Sequence, residues 1–335
     1  MLNITRIQVP VASTFSVEGS ADAQVMALGN EFDPNIPKAE SNYYFNPVLL
    51  RDILRFIELP CDDAYWLWGL HGTGKTSLVK QICNRLNWPC YSINGSATLE
   101  IEDLLYQNHI KIDGSTSVEL NALAKAFTYG GVFLFNEIDL VDPSRLAALN
   151  EIIAGDTLII AGIDQVFKKH ENFRFIVTAN TNGSFDEETQ IDCIGANSMN
   201  LSFMDRFLVN QADYLPADKE IDYLCKFAGD VHVQVNNVNE SVMHKSVDAI
   251  RPIITMMVKV ATESRKAAKN SADFDRPISI RGLKRWVQKT IQFHKSPNAV
   301  LYSLGQSITN AYPKHQADAV MRFCEDVFGT KFSNN

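Results

Sequence analysis

One continuous run of residues carries a complete phosphate-binding pattern, GxxxxGK[ST]: Gly69, Leu70, His71, Gly72, Thr73, Gly74, Lys75 and Thr76. Glycine lets backbone N–H groups converge on a phosphate, and the helix that follows adds the partial positive charge of its N-terminus. In this pattern Lys75 neutralises β- and γ-phosphate oxygens, and Thr76 offers its hydroxyl to Mg²⁺. The run therefore predicts a site for a nucleoside triphosphate, to which His71 contributes its backbone N–H.

Polar residues at the ends of two apolar runs could complete such a site. Glu137 follows residues 131–135, GVFLF, and Asn180 follows the run that contains 174–178, RFIVT. Ligands of open α/β sheets bind at the carboxyl ends of strands. We expect Glu137 to act as general base or to orient water, and Asn180 to hold the attacking water. The competing structural interpretations are a Glu137 that caps the next helix and an Asn180 that begins a turn.

Position 136 departs from the expected chemistry, because the first polar residue after this strand is expected to be an aspartate that holds Mg²⁺ through water. Asn136 can accept a hydrogen bond from a metal-bound water but adds no negative charge. With Thr76 and Asn136 as the metal-binding residues, two hypotheses remain open. The first is a working ATPase with weaker Mg²⁺ affinity, and the second is a site that binds ATP and hydrolyses it very slowly.

Basic residues farther along the chain are weaker candidates. Arg206 lies in the sequence MDRF and Arg281 in SIR, and lone arginines are usually solvated. The run from Arg265 to Lys269 is typical of a solvated helix end, with a nucleic-acid patch as the alternative. Without further context, these residues carry no assigned role.

The elements that must position these residues alternate along the chain. Strand-like runs cover 64–68, 90–93, 131–135 and 174–178, and helical patterns cover 46–59, 75–86 and 142–155. Strands that alternate with helices predict an α/β fold with a mostly parallel sheet covered by helices on both faces. After residue 215 helical patterns dominate, at 217–228, 247–268, 279–294 and 296–310. Residues 1–45 are predicted to be partly irregular, although 4–11 could add an edge strand.

Composition places this chain of 335 residues near the globular average, with 46% hydrophobic and 21% charged residues. The net charge of −8 supplies no general attraction to nucleic acid or to an anionic membrane. The scattered cysteines form no CxxC pair and indicate core thiols in a reducing compartment. No apolar run is long enough to span a membrane, and a cytoplasmic location is expected.

Together, GLHGTGKT, FLFNEID, TANT, MDRF and SIR resemble, in order and spacing, the AAA+ ATPases of the MoxR branch. The similarity is strongest to the CobS-type ATPase subunits of aerobic cobaltochelatase. It covers roughly residues 40–225 and includes RLNWPC and YLPADKE, which are not general features of phosphate-binding loops. The N-terminal 40 residues and the region after about 225 match poorly, as does Asn136.

This resemblance implies specific roles and partners. Asn180 would be sensor 1, Arg206 the arginine finger that reaches a neighbouring subunit's γ-phosphate, and Arg281 sensor 2 on a smaller helical lid domain. The expected organisation is an N-terminal segment 1–45, an AAA+ core 46–215 and a helical region 216–335. Two β-hairpin inserts are expected, near 107–118 and 157–170. The cofactors would be ATP and Mg²⁺, the assembly a hexameric ring, and the partner a protein with a von Willebrand factor A domain.

Several functions fit these expectations. The leading one is a ring ATPase that remodels or activates a partner protein complex, with a metal chelatase as one possibility. The alternatives are an ATP-dependent oligomeric scaffold that hydrolyses slowly because of Asn136, and a DNA-associated motor. A GTPase is disfavoured because the chain has no NKxD sequence, and a kinase because it would not need sensor 1 and an arginine from a neighbour. The client is left open, since clients are recognised by inserts and termini.

Overall fold

The computed structural model describes residues 5–20, 22–29, 33–40, 42–110, 116–160, 163, 165–184, 196–236, 240–270 and 273–329. The chain divides into two compact units. The first contains Met1–Ser41, Phe45–Leu70 and Gly74–Asp213. The second contains Asn42–Tyr44, His71–Thr73 and Tyr214–Asn335.

A five-stranded parallel sheet forms the centre of the first unit, in the order β11-β3-β10-β7-β4. Its strands are β3 (Ala64–Trp68), β4 (Cys90–Asn94), β7 (Gly131–Asn136), β10 (Phe173–Ala179) and β11 (Phe207–Gln211). Every residue of β7 and β10 is buried, which explains why these strands read as continuous apolar runs rather than as alternating patterns. The predicted parallel sheet is confirmed.

Three two-stranded antiparallel sheets accompany the central sheet. They pair β1 (Arg6–Pro10) with β2 (Gln24–Leu28), β5 (Tyr106–Ile110) with β6 (Thr116–Leu120), and β8 (Thr157–Ile159) with β9 (Val166–Lys168). The strand expected near 4–11 therefore pairs with β2 and does not extend the central sheet. The Asp113-Gly114 turn expected between β5 and β6 lies outside the described residues.

The helices of the first unit begin where capping residues predict. Asn46 accepts hydrogen bonds from the backbone N–H groups of Val48 and Leu49, and Asp142 accepts one from Ser144. The helix expected to run from Asp142 to Gly155 is instead two short helices, separated at residues 147–148. The described helices are Val11–Phe15, Pro47–Glu58, Lys75–Arg85, Glu102–Leu105, Ala122–Tyr129, Pro143–Leu146, Leu149–Ala154 and Leu201–Met204, with a 3₁₀ helix at Ile138–Leu140.

Helices alone make up the regular structure described in the second unit. They are Ala217–Asn236, Glu240–Asn270, Ile280–Gln292, Ala299–Ser307 and Lys314–Phe328, with a 3₁₀ helix at Thr309–Ala311. Their shared core includes Ile254, Met257, Leu283 and Trp286, all fully buried. The helix Lys314–Phe328 was not predicted from the sequence. Across the described ranges, no helix is both long enough and apolar enough to cross a membrane.

Arg265 contradicts the expectation of a solvated helix end. Its guanidinium forms two hydrogen bonds, of 2.8 and 2.9 Å, with the carboxylate of Glu220, and the Glu220 side chain is 0% exposed. The guanidinium also lies 3.9 Å from the centre of the Tyr214 ring, and its Nε donates to the Ile278 carbonyl. Arg265 is therefore a buried structural cation, whereas Lys266 is exposed as expected.

The described cysteines match the sequence interpretation with one exception, and Cys193 lies outside the described residues. Cys83, Cys90, Cys225 and Cys324 are buried free thiols, and burial raises the pKa of the Cys324 thiol to about 12. Cys61 is exposed, so the expectation of a core thiol was wrong there. It lies between a helix and β3, on a backbone turn with a φ of 53°.

Candidate active site

The phosphate-binding pattern forms the connection between β3 and the helix Lys75–Arg85. Two glycines make its backbone path possible. Gly69 has a φ of +152°, and a Cβ there would lie 2.1 Å from the Ala212 carbonyl oxygen. Gly74 has a φ of +90° and immediately precedes the helix. A side chain at either position would strain or block the loop, so this backbone path requires glycine at both positions.

The Lys75 ammonium links this loop to the end of β10. Its Nζ donates to the carbonyl oxygens of Gly69 and Leu70, at 2.5 and 3.0 Å. It also donates to Oδ1 of Asn180, at 3.2 Å. The structure therefore brings together the predicted phosphate-binding cation and the predicted water-holding amide, which are far apart in the sequence.

Thr76 and Asn136 form a second contact at the same edge of the sheet. The Thr76 hydroxyl donates to Oδ1 of Asn136 at 2.8 Å, and the Thr178 hydroxyl donates to the same oxygen at 3.3 Å. Mg²⁺ takes oxygen ligands, often with several waters retained. The Thr76 hydroxyl and the Asn136 carbonyl oxygen are such ligands and fit this ion, although neither carries a charge.

The orientation of the Asn136 amide is fixed by β4. Its Nδ2 donates to the Ser92 hydroxyl at 2.9 Å, to the Ile93 carbonyl at 3.1 Å and to Oδ1 of Asn94 at 3.2 Å. A backbone carbonyl can only accept, so the nitrogen must face β4 and the oxygen must face Thr76. Asn136 is 5% exposed, and the surrounding acceptors match an amide rather than a carboxylate.

Glu137 projects from the same edge and is exposed, whereas Asn136 and Ile138 on either side of it are buried. Its φ of 54° and ψ of 42° lie in the left-handed region, which is uncommon for a residue other than glycine. The described hydrogen bonds give the Glu137 side chain no capping role, and Asp142 caps the next helix instead. Such strained residues cluster at functional sites.

Asp139 is a site residue to which the sequence analysis assigned no role. It is 0% exposed, and its Oδ2 accepts hydrogen bonds from the backbone N–H groups of Asn180, at 2.7 Å, and Thr181, at 3.2 Å. Burial raises the pKa of its carboxyl group, and these hydrogen bonds act in the opposite direction. The sequence NEID shows an acidic residue at position 139, next to the strand end. Its hydrogen-bond partners lie 41 and 42 residues later, so the sequence did not reveal them.

Asn182, and not Asn180, makes the side-chain hydrogen bonds typical of a turn after β10. Its Oδ1 accepts from the backbone N–H and the hydroxyl of Ser184, at 3.0 and 2.7 Å. The Asn180 side chain contacts Lys75 instead. The competing interpretation of Asn180 as a turn residue is therefore not supported by these contacts.

Arg206 lies at the amino-terminal ends of the strands, opposite the carboxyl ends where the other site residues lie. It precedes β11, and its carbonyl accepts from the N–H of Ala64, the first residue of β3. The phosphate-binding loop follows the other end of β3, and a strand of this length spans about 13 Å at about 3.3 Å per residue. An Arg206 Nη1 donates to the Ser202 carbonyl. The structure does not bring Arg206 to the loop of its own chain.

Arg281 belongs to the second unit. It lies in the first turn of the helix Ile280–Gln292, whose start is capped by the Ser279 hydroxyl through the N–H of Gly282. Its contact with nucleotide stays a prediction.

The sequence of this chain is similar to a family model and to several known proteins. Residues 65–207 match the family model described as AAA domain (dynein-related subfamily). The chain is 26% identical over 291 residues to the aerobic cobaltochelatase subunit CobS of Sinorhizobium sp, with 85% of this chain and 81% of CobS covered. It is 28% identical over 167 residues to protein MoxR of Paracoccus denitrificans, with 50% of this chain and 46% of MoxR covered.

A solved structure shares the fold. NtrX from Brucella abortus superimposes with a TM-score of 0.51 and 16% sequence identity, covering 82% of this chain and 59% of NtrX. At this identity the likeness supports the fold alone.

Proposed function

We propose that the chain works as a head-to-tail ring of AAA+ ATPase subunits, similar to CobS and MoxR, in which ATP hydrolysis remodels or activates a partner protein complex. One observation carries this proposal: Lys75, Thr76, Asn136 and Asn180 converge at one edge of the sheet, whereas Arg206 lies at the other.

Nucleotide binding uses groups that are already assembled. The N–H groups of the loop and the start of the helix Lys75–Arg85 receive the phosphates of ATP. The Lys75 ammonium exchanges its contacts with Gly69 and Leu70 for phosphate oxygens. Thr76 and Asn136 would hold Mg²⁺, which would supply positive charge to the β- and γ-phosphates.

The chemical step falls to Glu137 and Asn180. Asn180 orients a water, and the exposed Glu137 carboxylate takes a proton from it as its oxygen bonds to the γ-phosphorus. The bond between that phosphorus and the β–γ bridging oxygen breaks, and its electron pair stays with ADP. In this assignment Glu137 is the general base.

The position of Arg206 supports a ring. An arginine at the opposite edge from the loop of its own chain reaches a γ-phosphate only in a neighbouring copy. A contact of this type is heterologous and repeats head to tail until the ring closes. A hexamer is the ring size that the family resemblance implies, and Arg281 would contact nucleotide as sensor 2.

The partner is proposed by analogy. CobS is by name a subunit of an aerobic cobaltochelatase, and its match covers most of both chains. A partner with a von Willebrand factor A domain and a role in metal insertion are the corresponding proposals here. A cytoplasmic location is proposed with them.

The neutral amide at position 136 favours a second candidate function, an ATP-dependent scaffold with slow turnover. An amide oxygen attracts Mg²⁺ less than a carboxylate does, which would lengthen the lifetime of the ATP-bound ring. Measured turnover decides between the two functions, because both predict ATP binding and assembly.

A mixing experiment tests the proposed function. Glu137→Gln and Arg206→Ala are each expected to bind ATP and to lower turnover by roughly two to four orders of magnitude. Mixed subunits should recover part of the activity, because an intact Glu137 then faces an intact Arg206 from its neighbour. Arg51→Ala, which removes an exposed arginine at 68% side-chain exposure, is the control and should keep wild-type turnover. Absence of recovery on mixing would refute action of Arg206 between subunits.

A further inference from the structure

The carboxylate of Asp139 ties the end of β7 to the end of β10. One oxygen, Oδ2, accepts from two consecutive backbone N–H groups, those of Asn180 and Thr181. The backbone carbonyl of Asp139 in turn accepts from the N–H of Asn197, at 2.7 Å. The backbone of Asp139 is thus held by Asn197, and its side chain binds the N–H groups of the first two residues after β10.

This contact controls the direction of the Asn180 side chain. The Asn180 amide oxygen lies 3.2 Å from Lys75 Nζ, so the side chain points toward the phosphate-binding loop while its backbone N–H points toward Asp139. Moving that backbone would turn the amide away from Lys75. A displacement of about 1 Å at a reacting group can cost about a hundredfold in rate.

A carboxylate is costly to bury at this position. Asp139 is fully buried, and among the described residues no donor reaches its second oxygen, Oδ1. Burying a charged group with an unpaired oxygen is unfavourable, and the two hydrogen bonds that Oδ2 accepts from the buried N–H groups of Asn180 and Thr181 offset part of that cost. The gain must therefore lie in the position of the groups that Oδ2 holds.

We propose that Asp139 is a positioning residue for ATP hydrolysis, which holds Asn180 in the orientation that places the attacking water. The proposal rests on the proposed function. Asp139 does not touch nucleotide in this scheme and acts only through the backbone of Asn180 and Thr181.

Two substitutions with the same branching of the side chain separate this role from a structural one. Asp139→Leu removes the acceptor, and Asp139→Asn keeps an acceptor oxygen but removes the charge. The control is Asp142→Ala, which removes a carboxylate that accepts two bonds from Ser144 and lies at a helix start. For each variant, hydrogen exchange of the amides of residues 180 and 181 is measured without nucleotide, followed by ATP affinity and kcat.

In Asp139→Leu, the amide hydrogens of residues 180 and 181 should exchange at least tenfold faster than in wild type, and kcat should be at least tenfold lower. ATP affinity should stay within threefold of wild type. Asp139→Asn and Asp142→Ala should stay within threefold of wild type in all three measurements. If Asp139→Leu does not fold, loss of both protection and turnover in Asp139→Asn would overturn the proposal, and retention of both would support it.

Different results would refute the proposed function and the proposed role of Asp139. Wild-type protein that does not hydrolyse ATP refutes the proposed function. Wild-type protein that hydrolyses ATP while folded Asp139→Leu keeps its kcat, or its amide protection, refutes only the role of Asp139. An ATP affinity that falls in parallel with kcat would also overturn positioning, because it would indicate a general loss of the site.

Discussion

Replacing Asn136 by aspartate should destabilise the nucleotide-free protein, although aspartate is the residue expected at this position of a metal-binding strand. The amide nitrogen of Asn136 donates to three acceptors on β4, and one of them is the backbone carbonyl of Ile93. A carboxylate would place an oxygen against that carbonyl. The Ser92 hydroxyl can rotate and the Asn94 amide can turn, but Ile93 can only accept.

The expected loss of stability follows from the Ile93 carbonyl alone. Leaving a buried acceptor without its donor costs about 1–3 kcal/mol. A unit of 150–250 residues loses about 2–4 °C in Tm for each kcal/mol, so Asn136→Asp should melt roughly 2–12 °C lower than wild type. The new charge would lie beside the proposed metal-binding position, so Mg²⁺ with ATP should restore part of this loss and should reach half-maximal effect at a lower Mg²⁺ concentration.

Thermal unfolding with and without ATP and Mg²⁺ measures both effects. Asn182→Asp is the matched control, because the oxygen of Asn182 accepts both of its bonds from Ser184 and the amide-to-carboxylate change leaves those bonds in place. It should shift Tm by less than about 2 °C, within the range for surface substitutions. An Asn136→Asp variant that is as stable as wild type without nucleotide would refute the argument that β4 selects an amide.

Two further predictions concern the stability of each unit. Glu220→Gln leaves the buried Arg265 guanidinium without its counter-charge and should lower the free energy of unfolding by about 3–5 kcal/mol, measured by thermal unfolding. The control Glu263→Gln, in an exposed pair with Lys266, should change the free energy of unfolding little. Equal effects of the two variants would contradict a stabilising role of the buried pair. Burial lowers the pKa of His170, so the unfolded chain binds its proton more tightly and wild type should lose stability as the pH falls below about 6.5. His170→Asn keeps an acceptor for the Asn172 N–H and should melt with a smaller loss between pH 7.5 and 5.5, and an unchanged pH dependence would count against this assignment.

The sequence was sufficient for features that are local along the chain. The phosphate-binding loop is continuous from Gly69 to Thr76, and its glycines and flanking elements predict the loop without any long-range contact. The caps at Asn46 and Asp142 are local in the same way and were found. The strands β7 and β10 were recognised because burial on both faces leaves continuous apolar runs.

The partners of the site residues depend on the pairing of distant strands and could not be predicted. Asn136 meets Ser92 and Asn94 only because β7 and β4 pair in a register that sets Asn136 opposite Asn94. Arg265 was misread for a similar reason, since its partner Glu220 lies on another helix, 45 residues away. A charged run that looks solvated by composition can still contain one buried member.

The contacts at the carboxyl edge of the sheet form one connected network. Lys75 joins the phosphate-binding loop to β10, Asp139 joins β10 to β7, and Asn136 joins β7 both to Thr76 and to β4. Groups in one hydrogen-bonded network do not contribute independently, so the effects of substitutions at Asn136 and at Asn180 should not be additive. Arg206 has no part in this network, because it lies at the other edge of the sheet. If Arg206 contacts a γ-phosphate, as proposed, that phosphate therefore belongs to another copy of the chain.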